Sequence, residues 1–274
     1  MGWRVNPSGD RAIDRALRAG AWITAWTALA LALVATAAAG PASLPNGFVY
    51  LRDIDPTIRQ DIRYAGAHNF IGSPIDGYVA AECVLTERAV RALARVQREL
   101  ARSRLSLIVW DCYRPARAVA QFVRWTKDRA DTRMKAEFYP NTDKTRLISL
   151  GYIGSPSKHS RGSTVDLGLV PIDVSSIPPW TGREALVACT APKGARFDDG
   201  TIDLGTGYDC LDTRAHINDR HIPAAARANR LRLRDTMVQH GFRPYAREWW
   251  HFELIKEPFP GRAFDFPILP RVAR

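Results

Sequence analysis

Ser157-Lys158-His159-Ser160-Arg161-Gly162-Ser163-Thr164-Val165-Asp166 is the stretch from which the rest of the chain can be read. It places His159 ahead of a strand and Asp166 within it. Zinc accepts imidazole nitrogen and carboxylate oxygen at about 2.0–2.2 Å, and a catalytic zinc usually has three protein ligands and one position open to water. His159 and Asp166 supply two such ligands. The third candidate lies far downstream, in Glu248-Trp249-Trp250-His251, where His251 can complete the set and Glu248 can serve as the base that activates water.

Working outward, Thr164-Val165-Asp166-Leu167-Gly168-Leu169 has strand periodicity. Val165, Leu167 and Leu169 share one face, and Asp166 points from the other. His159 precedes this strand on a loop that Gly162 is expected to make flexible. Upstream, Phe48–Leu51 and Asp61–Tyr64 read as short strands. Thr86 suits a helix N-cap, and Val90, Leu93, Val96 and Leu100 follow helical spacing, predicting a helix over 86–101. Leu105 to Val109 reads as a buried strand leading into Asp111-Cys112-Tyr113-Arg114-Pro115, and Pro115 suits the first turn of the next helix. Residues 128–149 look polar and irregular, and 171–203 looks like an excursion rich in Pro and Gly. A last helix over 224–240 stops at Gly241, a closing strand holds 248–255, and a Pro-rich tail follows.

The third ligand carries a geometric condition. In a regular strand, residues i and i+3 face opposite sides, so Glu248 and His251 can address one metal only if the backbone is irregular between them. The sequence therefore predicts either that Glu248 sits on the loop before the strand or that a bulge falls at Trp249-Trp250.

The chain has 274 residues, is 46% apolar and carries a formal net charge of +11. Its basic residues are scattered, with no aromatic-interleaved stripe or DNA-binding motif, which argues against nucleic acid as a partner. Attraction to an anionic cell envelope accounts for the charge equally well. Arg4, Arg11, Arg15 and Arg18 precede an uncharged stretch, 19–39, that ends in small residues, the layout of an export signal over 1–42. An uncleaved anchor is the alternative, and is the sole expected contact with a membrane. Either way the domain, 43–274, is expected in the periplasm or secreted. In that oxidising setting Cys83, Cys112, Cys189 and Cys210 suggest disulfides. Three pairings are open, and we favour the nearest-neighbour bridges, Cys83–Cys112 and Cys189–Cys210.

Four motifs run through the chain: Ser-x-His-Ser-Arg-Gly-Ser-x-x-Asp-Leu, Glu-Trp-Trp-His, Asp-x-Tyr-Arg-Pro-x-Arg-Ala-Val and Asp-x-x-Tyr-Ala-x-x-x-Asn-Phe. In order and spacing they resemble the zinc D-alanyl-D-alanine dipeptidases, over nearly everything from Asp61 to Pro267. The resemblance implies a single α+β domain with a central, mainly antiparallel sheet flanked by helices, of the Hedgehog/D,D-peptidase-like type. It also implies one zinc held by His159, Asp166 and His251, with Glu248 as general base and acid and Arg114 beside the scissile carbonyl. Asp209 would receive the ammonium of a small D,D-dipeptide, and Tyr64 and Ser157 would line the substrate site. The export signal, the four cysteines and a longer excursion over 181–203 depart from the family pattern. Other readings compatible with the fold are a D,D-carboxypeptidase or peptidoglycan endopeptidase, and a zinc-stabilised envelope-binding module without catalysis.

Overall fold

Alternating apolar residues from Leu105 onward and from Thr164 onward form two adjacent inner strands of a five-stranded sheet. The computed structural model describes residues 44–272, so the export reading of 1–42 lies outside the described residues. In chain order the strands are β1 (Phe48–Tyr50), β2 (Arg59–Gln60), β3 (Val84–Thr86), β4 (Leu105–Asp111), β5 (Thr164–Pro171), β6 (Phe242–Tyr245) and β7 (Glu248–Leu254). The helices are α1 (Leu51–Ile54), α2 (Glu87–Ala101), α3 (Ala116–Lys127), α4 (Lys135–Phe138) and α5 (Ala224–Gln239). The sheet runs β2-β4-β5-β7-β6, antiparallel except where β2 joins β4, and β1 pairs with β3 in a separate ribbon. This is the mixed α+β domain expected. Among the described residues no helix is long and apolar enough to cross a membrane.

The apolar stripe of α2 is buried through Val90, Leu93, Val96 and Leu100. Gln97 shares that face because its amide is fully used: Nε2 donates to Ser106 Oγ, and Oε1 accepts from Leu107 N. Thr86 occupies the N-cap position but makes no side-chain cap bond. Its hydroxyl pairs instead with Ser163 Oγ at 2.7 Å, tying the helix start to the loop that precedes β5.

Several expectations need correction. The strand expected over Asp61–Tyr64 lies earlier, at Arg59–Gln60, and Arg63–Ala65 forms a 3-10 turn. Tertiary contacts outweigh the β-propensity of Ile62 and Tyr64 there, both of which turn into the core. Residues 128–149 include α4 and a 3-10 turn, and they bury Met134, Phe138, Tyr139 and Leu147. Gly162 is not a point of flexibility. It holds φ +77°, and a Cβ there would run into the Phe48 ring, so glycine is needed for both backbone and space. Phe48 in turn packs among Tyr113, Phe259, Phe264 and Phe266. The Pro-rich tail thereby folds back to brace the His159 loop.

Both favoured disulfides form, Cys83–Cys112 and Cys189–Cys210, and no free cysteine remains among the described residues. The second bridge ties the excursion to the segment carrying Asp209. Trp180, also in the excursion, stacks on the buried His68 with ring centroids 4.9 Å apart.

Candidate active site

Two departures from regular pairing build the site. Trp110 is an extra residue in β4, since Val109 faces Leu167 while Asp111 faces Asp166. Between β6 and β7 the register shifts as well: Pro244 faces Phe252 and Tyr245 faces Glu248, leaving Trp249, Trp250 and His251 bulged on β7. The irregular backbone expected between Glu248 and His251 is present, and it brings Glu248 Oε2 within 3.5 Å of His251 Nδ1. On the other edge of β7 pairing is regular, with His251 opposite Asp166. Asp111, Asp166 and His251 therefore form one row across three strands.

His159 joins this row from a 3-10 turn, Lys158–Arg161, whose N-cap Ser157 accepts from the His159 N–H. Its Nδ1 lies 2.8 Å from the Cys112 carbonyl oxygen and 3.1 Å from Asp111 Oδ2. These acceptors favour the proton on Nδ1 and leave Nε2 free as a donor of electrons. His159 Nε2, Asp166 Oδ1 and His251 Nδ1 then converge, separated pairwise by 3.3, 3.1 and 3.2 Å. Bonds of about 2.0–2.1 Å to one tetrahedral ion would set such donors about 3.3 Å apart. Asp166 Oδ1 is buried without a hydrogen-bond partner, an orphaned acceptor between two imidazole nitrogens. A divalent cation fits this donor set and satisfies that oxygen.

Burial opposes charge on Asp166, but His159 and His251 outweigh it and hold the carboxyl far below the usual carboxylate range. The other oxygen of Asp166 accepts from the Tyr208 hydroxyl at 3.2 Å. Burial also works against the His251 charge, yet its partners Asp166 and Glu253 push it up to about 10, a proton that a bound cation would displace.

One pocket of about 200 Å³ is lined by His159, Asp166 and His251 together with Tyr64, Arg114, Ser157, Asp209 and Glu248. Every metal, catalytic and substrate-site residue singled out from the sequence thus comes together, and the four disulfide cysteines do not line this pocket. Arg114 donates from Nε and Nη2 to Asp111 Oδ2 at 2.9 and 2.8 Å, lies 3.7 Å from Asp166, and packs over the rings of Tyr64 and Phe122. Burial disfavours its charge, but Asp111 and its neighbours hold the guanidinium well above its ordinary value. Glu248 is pushed up to about 8 by burial, with His251 opposing and Asp166 adding to the rise. Asp209 is also pushed up to about 8, by burial first and by Asp166 second. Its one side-chain hydrogen bond among the described residues comes from the Tyr64 hydroxyl, at 2.8 Å.

Sequence reasoning gave the supporting residues no part in the site. Asp111 contacts His159 and Arg114 and accepts from the Tyr78 hydroxyl. It stands three residues before Arg114 in the motif quoted for it, so a pair between the two is readable from the sequence, but only the fold shows that it also faces His159. Tyr208 precedes Asp209 and carried no signal of its own.

Comparison with known proteins agrees with this architecture. The profile of a family described as D-ala-D-ala dipeptidase matches residues 45–177 and 195–269. A D-alanyl-D-alanine dipeptidase of Streptomyces coelicolor is 38% identical over 225 residues, 82% of this chain and 100% of the relative. The enzyme of that name from Enterococcus faecium is 36% identical over 222 residues, 81% of this chain and 98% of its own length. One from Escherichia coli is 31% identical, covering 81% of this chain and 88% of the relative. The internal gap in the match, 178–194, includes Trp180 and Cys189.

Proposed function

The chain belongs to the family of D-alanyl-D-alanine dipeptidases, and on that footing we propose that it is a zinc-dependent enzyme hydrolysing free D-alanyl-D-alanine and closely related D,D-dipeptides outside the cytoplasm. The observation that carries the reading is the shared pocket: a three-donor cluster, a carboxylate beside it, and a second buried carboxylate, Asp209, partnered by a tyrosine hydroxyl.

His159, Asp166 and His251 would hold the zinc, which when bound supplies Lewis acidity and lowers the pKa of water to about 7. Glu248 takes the proton of the attacking water and delivers it to the leaving amine nitrogen, work suited to a carboxyl raised toward neutrality. The Arg114 guanidinium, fixed by Asp111, faces the oxygen on which negative charge develops. Asp209 pairs with the substrate ammonium. A longer or blocked peptide has no ammonium there and would leave the carboxylate buried and unpaired.

Export is supported by the signal-like sequence of residues 1–42 and by the two disulfides, which persist in oxidising compartments. Outside the cytoplasm the activity would serve recycling or catabolism of cell-wall dipeptides rather than removal of a cytoplasmic precursor. Cell fractionation tests this part, and activity confined to the cytoplasm would refute it.

The central test is an assay of purified protein on D-Ala-D-Ala, L-Ala-D-Ala, N-acetyl-D-Ala-D-Ala and a muropeptide, with and without chelator. Rapid turnover of the free D,D-dipeptide, lost to chelator and restored by zinc, is the expected result. Indifference to chelator would remove the metal from the mechanism, and preference for the blocked substrate or the muropeptide would remove the dipeptidase assignment. Arg114→Lys keeps a cation for Asp111 but not the planar fork. We expect kcat to fall by about 10²–10³, the range for one lost oxyanion donor, with metal content unchanged; a kcat within threefold of wild type would exclude the role.

A further inference from the structure

A free dipeptide carries charge at both ends, and the pocket described above accounts only for the ammonium. Apart from histidines, the cationic residues lining it are Arg114 and Lys158. Arg114 is committed: its side chain is 11% exposed, it donates twice to Asp111, and Asp166 stands 3.7 Å away. Lys158 differs. Its side chain is 47% exposed, and its ammonium lies 2.7 and 2.8 Å from the two oxygens of Glu253.

Glu253 has partners besides Lys158. Arg243 donates to its Oε2 at 2.9 Å, and His251 Nε2 stands 3.8 Å from its Oε1. The group of Lys158, Arg243 and Glu253 therefore holds two fixed positive charges against one negative. An ammonium has three N–H donors, so at least one of Lys158's remains for an incoming acceptor. Placement agrees with the chemistry. The His251 ring turns Nδ1 toward the donor cluster and Nε2 toward Glu253, so Lys158 lies beyond His251. Asp209 instead touches Tyr64, whose ring lies under Arg114. The two charged receptors thus line one pocket with separate neighbours.

We propose that Lys158 receives the C-terminal carboxylate of the dipeptide and, paired with Asp209, makes the site selective for a substrate free at both ends. This rests on the dipeptidase reading. When substrate draws the ammonium away, Arg243 continues to neutralise Glu253, so the exchange uncovers no buried charge. The 3-10 turn of Lys158 and His159 then sets carboxylate receptor and metal donor on adjacent residues.

The test compares D-Ala-D-Ala with its C-terminal amide, which keeps the ammonium and loses the carboxylate charge. Lys158→Met should raise KM for the free acid by about 10-fold or more, the scale of one hydrogen bond to a charged group, and shift the amide less than threefold. Lys158→Arg should recover most of the discrimination. The same contrast should appear in calorimetric Kd values measured on Glu248→Ala protein, where no turnover intervenes. Equal losses on acid and amide, or no loss on either, would overturn the assignment while leaving the dipeptidase reading intact. Wild-type protein that cleaves neither compound would end both.

Discussion

Glu248→Gln is expected to lower kcat on D-Ala-D-Ala by about 10²–10⁴, the range for loss of a positioned acid–base group, with zinc still bound stoichiometrically. The expectation follows from where the bulge leaves this side chain. Glu248 is buried, stands 3.5 Å from His251 Nδ1, and is pushed up to about 8, chiefly by burial. A carboxyl so placed can both take and return a proton near neutral pH. Glutamine has its shape and can do neither. Because His159, Asp166 and His251 are untouched, elemental analysis should find the metal in place. A variant that keeps a tenth of wild-type kcat, or that loses metal along with activity, would remove Glu248 from the proton path.

The second large effect is on recognition. Asp209 has φ +53°, a left-handed backbone that asparagine tolerates and alanine does not tolerate well, so Asp209→Asn isolates the charge. Losing one partner of a buried charge pair costs about 2–5 kcal/mol. Free D-Ala-D-Ala should therefore suffer a loss in kcat/KM of at least 30-fold, and N-acetyl-D-Ala-D-Ala almost none. Equal losses on both would sink the assignment. The same variant has an opposite signature in stability. In the fold the Asp209 carboxyl is raised from 3.8 to about 8, so the fold binds this proton more tightly than the unfolded chain does. That contribution is complete below pH 3.8 and is lost as pH rises to about 8. Thermal melts of ligand-free protein should show the Asp209→Asn variant gaining on wild type as pH rises through this window, the usual opposition of stability and function. A gap independent of pH would mean that Asp209 is ionised at no cost.

The elements that local pattern fixes were legible in the sequence. The apolar face of α2, the alternation in β4 and β5, and the stop at Gly241 need no distant partner. The bulge before His251 was legible for a different reason: if Glu248 and His251 share a task, a flat strand cannot hold them. What stayed hidden depends on long-range contact. Ile62 and Tyr64 have strand propensity but follow the core, and Thr86 forgoes its cap for Ser163 across 77 residues. Lys158 looks like any surface lysine until Glu253 and Arg243 are seen beside it.

The two disulfides have a consequence for how the site meets its substrate. Cys112 lends its carbonyl to His159, and Cys210 adjoins Asp209, so the donor-cluster side and the Asp209 side of the pocket are each joined to a covalent cross-link. Cys189, which anchors the second, lies in the segment that the family profile leaves unmatched. A receptor loop without such a link must lose conformational freedom each time a ligand arrives, which weakens binding. Here the cross-links restrict these loops before any ligand arrives, so less freedom is left to lose on binding.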